Sequence, residues 1–305
     1  MKLIESKAEY IPQEEGLEGI YKQVELAGRT AYHSLDKITP DSAKDFVDRM
    51  IRSKHGAALE HGTVCLAIPC TNDGTLSHYR GVAGKYNEIQ FERYSKVTMM
   101  LGMHNYVSTN YRVLVENNWL DDLQYLCSPT EFHEKRYTMR FTCSRAIANE
   151  LVRHRTMSFL QESTRYINYS KERHGGGITY IIPSWLNTEG KRKECLLKGD
   201  WQADDWNYAE DTFLEQLDYA ERVYFTLLDY KYSPQQARDV LPNATKTELI
   251  MTGFSSDWRH VMDLRLFGKT GVPHPDMVDL MQKAQKAMQE AGIWEDIMSK
   301  PSKFE

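Results

Sequence analysis

The chain has 305 residues, 41% of them hydrophobic, which is enough to bury the core of one large domain or two small ones. Its formal net charge of −5 argues against non-specific binding to nucleic acid, which depends on broad basic surfaces. Five cysteines without a CxxC pair favour a reducing cytoplasm. The N-terminus is acidic and the sequence has no long apolar run, so we expect neither a leader peptide nor membrane insertion.

The first half of the chain combines one helix signal with two strand signals. A helix is predicted within 39–56, capped by Thr39, opened by Pro40 and ended by Gly56. β-Branched and aromatic residues concentrate at 62–69 and 137–144, which predicts two strands. Residues 71–135 between them are polar and tyrosine-rich, so we expect an irregular insertion within a single domain that spans 1–305.

The second half is predicted to be mainly helical. Helix patterns cover 143–152, 204–229 and 276–292, and 177–183 reads as a further strand. A short helix at 233–242 carries a capping box of Ser233 and Gln236. The expected fold class is therefore α+β, helix-rich with a small antiparallel sheet.

Two arginines share helical stripes with apolar residues. Arg265 follows Trp258, Val261 and Met262 at helical spacing, and Arg238 lies on a stripe with Pro234, Ala237 and Leu241. A buried guanidinium needs an anionic partner, because an unpaired buried charge costs several kcal/mol. Either arginine alone could form an ion pair with an aspartate, but the two together favour an anion-binding site.

The stretch RHRTMSFLQESTRY, at 153–166, concentrates cationic and hydroxyl side chains in an acidic chain. Successive helical side chains turn by roughly 100°, so Arg153, His154 and Arg155 cannot all contact one group on a continuous helix. Either the helix ends there, or these residues serve two ligands or two subunits; a basic helix end that complements the macrodipole is the simpler alternative. The side chains of Ser163, Arg165 and their neighbours are typical hydrogen-bond donors to a phosphate.

Other motifs for common chemistry are missing. HGGG at 174–177 has no GxSxG partner, and Cys70 has no adjacent base to activate it. The chain contains no GxGxxG, no GxxxxGK[ST] and no HExxH, so phosphates must be held by side chains and helix ends, and no catalytic metal is expected.

The 153–166 stretch is very similar to the signature of the flavin-dependent thymidylate synthases. That signature is Arg-His-Arg, seven residues, Ser, one residue, then Arg-Tyr, which corresponds here to Arg153 through Tyr166. HGAALEHGT, ARDVLP, DWRHVMDLRL and PHP agree in the same order, so the resemblance covers about 25–285. It implies a cytoplasmic homotetramer with the fold of that family and FAD bound between subunits. It also implies methylation of dUMP to dTMP, with methylenetetrahydrofolate as carbon donor and NADPH as reductant.

The resemblance also implies roles for individual residues. Arg265 would lie against the uracil and favour its ionised N3 form, as the catalytic residue. The dUMP contacts would be Glu150, Arg153, Gln161, Glu162, Ser163, Thr164, Arg165 and Arg238. The FAD contacts would be His61, Thr63, Arg153, His154, Arg155, Gln161, His260 and His274. Glu150, Phe254 and Ser256 differ from the residues common in the family.

Two other functions remain open at this point. A non-catalytic protein that binds nucleotides or RNA could use the same arginines without a flavin. Another flavoprotein oxidoreductase could act on a different phosphorylated substrate and ignore dUMP.

Overall fold

The computed structural model describes residues 1–69, 82–87, 94–100, 104–165, 168–170, 176–186, 197, 199 and 207–304. Several residues used in the sequence predictions lie outside the described residues: Cys70, Tyr166, residues 204–206 of the helix predicted over 204–229, the start of HGGG at 174–175 and parts of 71–135.

Helices and strands of the described residues are numbered in chain order. The helices are α1 (Gly16–Ala31), α2 (Ser42–Arg52), α3 (Gly56–Leu59), α4 (Tyr111–Glu116), α5 (Arg145–Leu151), α6 (Tyr208–Asp229), α7 (Pro234–Ala237), α8 (Ser255–Arg265), α9 (Pro275–Glu290) and α10 (Trp294–Met298). The strands are β1 (Lys2–Ile4), β2 (Lys7–Ile11), β3 (Thr63–Pro69), β4 (Lys96–Met99), β5 (His104–Asn110), β6 (Arg136–Ser144), β7 (Ser158–Gln161), β8 (Thr179–Ile181) and β9 (Lys246–Phe254).

A four-stranded antiparallel sheet, in the order β2-β6-β9-β7, forms the centre of the fold. β6 and β9 pair along their whole length, from Arg136 opposite Phe254 to Ser144 opposite Lys246. The sheet buries Phe141 and Met251 in one core with Trp258 of α8 and Leu280 of α9. The predicted fold class, α+β with a small antiparallel sheet, is confirmed. β9 was not predicted, because most of its positions are buried and its sequence does not alternate.

A second sheet, in the order β3-β5-β4, packs with α1 and α2 around a separate core that contains Val24, Phe46 and Leu66. Its β5, and α4 directly after it, lie within the range that we expected to be irregular. That expectation is wrong for the described residues, because β5 pairs with β3 along seven positions, from Thr63 opposite Asn110 to Pro69 opposite His104. Whether 71–135 is an insertion stays a prediction.

The helix ends test the capping predictions. α6 begins after Asn207, whose side chain forms a capping box with Glu210, and the predicted box of Ser233 and Gln236 is present at α7. The predicted start of the first helix at Thr39 is wrong: α2 begins at Ser42, whose hydroxyl accepts the Thr39 N–H at 2.9 Å. α2 ends at Arg52, and Gly56 begins α3.

β1 and β8 form a parallel pair, and the core beside it joins Tyr180 to Leu214, Leu217 and Tyr224 of α6. None of the helices in the described part of the chain is both long enough and apolar enough to cross a bilayer.

Candidate functional site

The signature turn follows directly from the end of α5. Ser144 caps this helix by accepting the Ile147 N–H at 3.3 Å, and the helix ends at Leu151, before the Arg-His-Arg run. A turn then leads into β7, which begins at Ser158. The helix therefore stops before Arg153, which settles one alternative left open by the sequence. Arg153 lies on this turn, after the end of the helix predicted over 143–152.

The turn separates its three side chains. Arg153 and Arg155 are exposed, and neither makes an ion pair with a described residue, whereas His154 is buried at 7% exposure. The two guanidiniums face solvent while the imidazole points into the protein, so the Arg-His-Arg run presents two distinct surfaces.

Arg265, at the end of α8, closes over this turn. Its Nε–H donates to His154 Nε2 at 3.1 Å, and its two terminal nitrogens donate to Glu150 Oε2 at 2.9 Å and to the Glu150 carbonyl oxygen at 3.1 Å. The predicted apolar stripe is present, since Trp258, Val261 and Met262 are fully buried. The anionic partner is Glu150 rather than an aspartate, and the Arg265 side chain keeps 20% of its surface exposed.

His154 is neutral in this arrangement. Burial, followed by the charges of Arg265 and His260, lowers the pKa of His154 to about 4. Its Nε2 accepts a hydrogen bond from Arg265, so the proton of the neutral ring is on Nδ1. His260 of α8 lies edge-on to His154, with ring centroids 6.1 Å apart, and stacks on Phe304.

A second cluster forms where the chain leaves β7 and meets α7. Arg238 Nη1 donates to Thr164 Oγ1 at 3.3 Å, and Arg165 Nε donates to Gln235 Oε1 at 3.2 Å. Ser163 Oγ accepts the Arg165 backbone N–H at 3.3 Å. Arg238 has no carboxylate partner among the described residues, so its positive charge is not compensated there. Sequence reasoning missed Gln235, although it stands three positions before Arg238 in the same motif.

Two residues expected with this cluster make other contacts. The Glu162 carboxylate is 3% exposed and accepts hydrogen bonds from His33 Nδ1 at 2.7 Å and Lys246 Nζ at 3.0 Å. Burial raises the pKa of Glu162, but the hydrogen bond from His33 and the charge of Lys246 outweigh it, so the net pKa is below its usual value. Gln161 donates to Thr247 Oγ1 at 3.3 Å. No local pattern in the sequence pointed to His33 or Lys246.

The expected flavin contacts are spread over several elements. His61 is fully buried beside Thr252 of β9, with its Nδ1 2.8 Å from Thr252 Oγ1, and burial followed by the charge of Arg136 lowers its pKa to about 3. Thr63 Oγ1 accepts from Arg136 Nη1 at 3.3 Å. His274 is exposed and caps α9 by accepting the Asp276 N–H at 3.1 Å. His154 and His260 are brought together, whereas His61 lies apart from them in the interior beside β9.

The start of α8 is already capped. Ser256 donates its hydroxyl proton to Glu134, and Asp257 accepts the Phe254 N–H at 3.3 Å. The carboxylates of Glu134 and Asp257 thus bind the start of α8 at Phe254 and Ser256. These are two positions where the sequence differs from the resembled family.

Comparison with known proteins bears on this arrangement. A family model described as thymidylate synthase complementing protein matches residues 102–291, which contain both arginine clusters but not His61 or Thr63. The flavin-dependent thymidylate synthase of Corynebacterium efficiens is 35% identical over 123 residues, which are 40% of this chain and 46% of that protein. The enzyme of the same name from Corynebacterium aurimucosum is 24% identical over 274 residues, covering 87% of this chain and 78% of that protein.

A solved structure also aligns along the chain. It is the UMP/dUMP methylase PolB from Streptomyces cacaoi bound with 5-Br dUMP, at 17% identity and a TM-score of 0.46, covering 98% of this chain and 97% of that one. The chain spans about half the length of the first curated relatives that it matches.

The fold and the two clusters thus define an α+β protein with paired arginine sites around one signature turn. Because the family model covers more than half of its length, the chain belongs to the thymidylate synthase complementing protein family.

Proposed function

We propose that the chain is a flavin-dependent thymidylate synthase that methylates dUMP to dTMP, with methylenetetrahydrofolate as carbon donor and NADPH as reductant. The observation that carries the proposal is Arg265, held on Glu150 and His154 at the signature turn. Membership of the family and the Arg238 cluster support it.

The Arg238 cluster is the proposed site for the dUMP phosphate. A phosphate is bound best by guanidinium and hydroxyl donors in a place without competing carboxylates. Arg238, Thr164 and Ser163 meet that requirement, because the described contacts of Arg238 are limited to the Thr164 hydroxyl, and Arg165 lies beside them. Glu162 stands apart in this proposal, since its carboxylate is engaged by His33 and Lys246.

Arg265 is the proposed electrostatic catalyst at the uracil. A guanidinium has five N–H groups, and three of those on Arg265 are taken by His154 and Glu150. The other two remain for a ligand, and the three bonds fix their direction before the ligand arrives. A positive group already in place stabilises the anionic uracil form without reorganisation cost, which is the usual source of electrostatic catalysis.

FAD fits part of the proposed contact set. The exposed guanidiniums of Arg153 and Arg155 suit its diphosphate, and His154 and His260 lie beside them as neutral rings. His61 does not fit a direct contact, because its imidazole is fully buried. When bound, the flavin supplies the hydride chemistry, and the reaction then does not require a cysteine nucleophile. Exposed arginines also suit a site completed by a neighbouring subunit, as in the proposed cytoplasmic homotetramer.

The first test is the visible absorption spectrum of the purified chain, before and after adding dUMP. An oxidised flavin spectrum that changes with dUMP is the expected result, followed by folate-dependent and NADPH-dependent formation of dTMP. Arg265→Ala is expected to keep the flavin and lose dTMP formation, while the exposed Arg222→Ala on α6 keeps both. A chain that cannot be reconstituted with FAD, or that turns over without folate, would contradict the proposal.

A further inference from the structure

A basic cavity lies between α1 and α2, on elements that the proposed reaction does not use. Its volume is about 440 Å³ and its floor is apolar, formed by Phe46 and Met50. Arg29, Lys37 and Arg49 supply its charge, and no aspartate or glutamate lines it. In a chain with a net charge of −5, such a cavity is a local exception.

The three cations differ in their partners. Arg29 is 8% exposed and is neutralised by Glu25, with Nε to Oε1 at 2.6 Å. Lys37 and Arg49 are exposed, and neither forms an ion pair with a described residue. Two positive charges therefore remain uncompensated at the mouth of the cavity.

Aromatic rings line the cavity, and one of them contacts both of its arginines. The guanidinium carbons of Arg29 and Arg49 lie 5.1 and 5.0 Å from the Phe46 ring centroid, which is cation–π distance. Because the ring itself is buried, it holds Arg49 close to the cavity. Tyr32 and His55 line the same cavity and are joined by a 2.9 Å hydrogen bond.

This cavity adjoins a larger one. A cavity of about 560 Å³ shares Tyr32, Ser34 and Lys37 with it and is lined further by His33, the residue bonded to Glu162 of the signature. The two cavities thus flank one turn, at 32–37, and the larger one is linked to the signature through the hydrogen bond between His33 and Glu162. Lys37 lines both cavities, whereas the acidic residues Asp36 and Glu248 line only the larger one, so the excess of positive charge is on the side of Arg49.

We propose that the Arg49 cavity binds a phosphate monoester on the nucleotide reductant, the group that distinguishes NADPH from NADH. The inference rests on the proposed function, which requires a nucleotide reductant. A phosphate monoester is close to a dianion at neutral pH and matches the two uncompensated cations. Arg49 offers a planar fork and Lys37 a point charge, which are the donors that bind phosphate best.

The test is a calorimetric titration of the full chain with NADP⁺ and, separately, with NAD⁺, which differs from it only in lacking the phosphate monoester. NADP⁺ is expected to bind about ten-fold or more tightly than NAD⁺, because only NADP⁺ can form charge-assisted bonds from that monoester to Arg49 and Lys37. Arg49→Ala is expected to abolish most of this difference. Arg52→Ala is the matched control, because Arg52 is exposed on the same helix and does not line the cavity.

The outcomes separate this inference from the proposed function. An advantage of NADP⁺ over NAD⁺ that is lost in Arg49→Ala supports the phosphate site even in a chain that forms no dTMP, a result that overturns the proposed function alone. Equal binding of the two nucleotides, or unchanged binding in Arg49→Ala, overturns the phosphate site, whether or not dTMP is formed. Binding of triglutamate in place of NADP⁺ also overturns it, because the cavity would then serve folate carboxylates.

Discussion

Arg265 is bound to Glu150 through both the carboxylate and the backbone of that residue, although the two are 115 positions apart. The carboxylate bond, at 2.9 Å, joins side chains that are 20% and 30% exposed. Since water screens exposed charges, the contribution of this pair to folding is expected to be about 1 kcal/mol or less. The larger effect of this pair is that it orients the Arg265 guanidinium.

Glu150→Ala is therefore expected to reduce dTMP formation more than stability. The variant removes one of the three bonds that orient Arg265, so we expect kcat to fall by about ten-fold or more, by analogy with lost charge-assisted bonds. Glu150→Gln keeps an oxygen acceptor and should lose much less. The measurement is steady-state kinetics with dUMP, with Glu9→Ala as control, because Glu9 pairs with Arg140 on the exposed side of β2. Equal rates in Glu150→Ala and the unaltered chain would contradict the orienting role.

This pair also shows which features the sequence could predict. The capping box of Ser233 and Gln236 depends on residues three apart, and it was predicted correctly. The stripe that carries Arg265 is equally local. Its partner Glu150 and the partner of Arg238, Thr164, are set by the packing of distant segments, which spacing cannot reveal. The same holds for His61, whose burial depends on β9, a strand without an alternating pattern.

Arg238→Ala is expected to weaken dUMP binding. Loss of a guanidinium to a phosphate typically costs 1.5–3 kcal/mol, so Kd should rise by roughly ten-fold to a hundred-fold. Thr164→Val removes one neutral hydroxyl and should have a smaller effect. Calorimetric titration with dUMP measures both, and Arg222→Ala serves as an exposed arginine control on α6. If deoxyuridine, which lacks the phosphate, loses as much affinity as dUMP in Arg238→Ala, then Arg238 does not contact the phosphate.

Glu162→Ala is expected to act on stability, against the role that resemblance gave to Glu162. The change leaves Lys246, whose side chain is 14% exposed, without its most buried carboxylate. Removing one partner of a buried pair typically costs 3–5 kcal/mol, roughly, although Glu248 remains near Lys246 and should reduce this. Urea unfolding measures the loss, and Glu131→Ala, at an exposed position, is the control.

The dUMP affinity of folded Glu162→Ala chain is the discriminating measurement. If its carboxylate only pairs with His33 and Lys246, the affinity should stay within about two-fold of the unaltered chain, a difference well under 1 kcal/mol. A stable variant that no longer binds dUMP would restore the role implied by resemblance.

Acid should destabilise the chain through His154, whose pKa is lowered to about 4 by burial and by the neighbouring charges of Arg265 and His260. The unfolded chain takes up this proton near pH 6.5, so between that pH and about 4 it binds more protons than the folded chain. The free energy of unfolding must then fall as pH falls through this window. At pH 5 the cost is on the order of 2 kcal/mol for this residue.

His154→Gln has no such proton, so its stability should fall less between pH 7.5 and pH 5, although His61 contributes in both chains. Urea unfolding at several pH values measures the difference. Above pH 7.5 His154 is neutral in both the folded and the unfolded chain. The difference in free energy of unfolding between the unaltered chain and His154→Gln should therefore stay constant there. Parallel curves across the acid range would mean that His154 takes up its proton at the same pH in the folded and the unfolded chain, so that its pKa is not lowered.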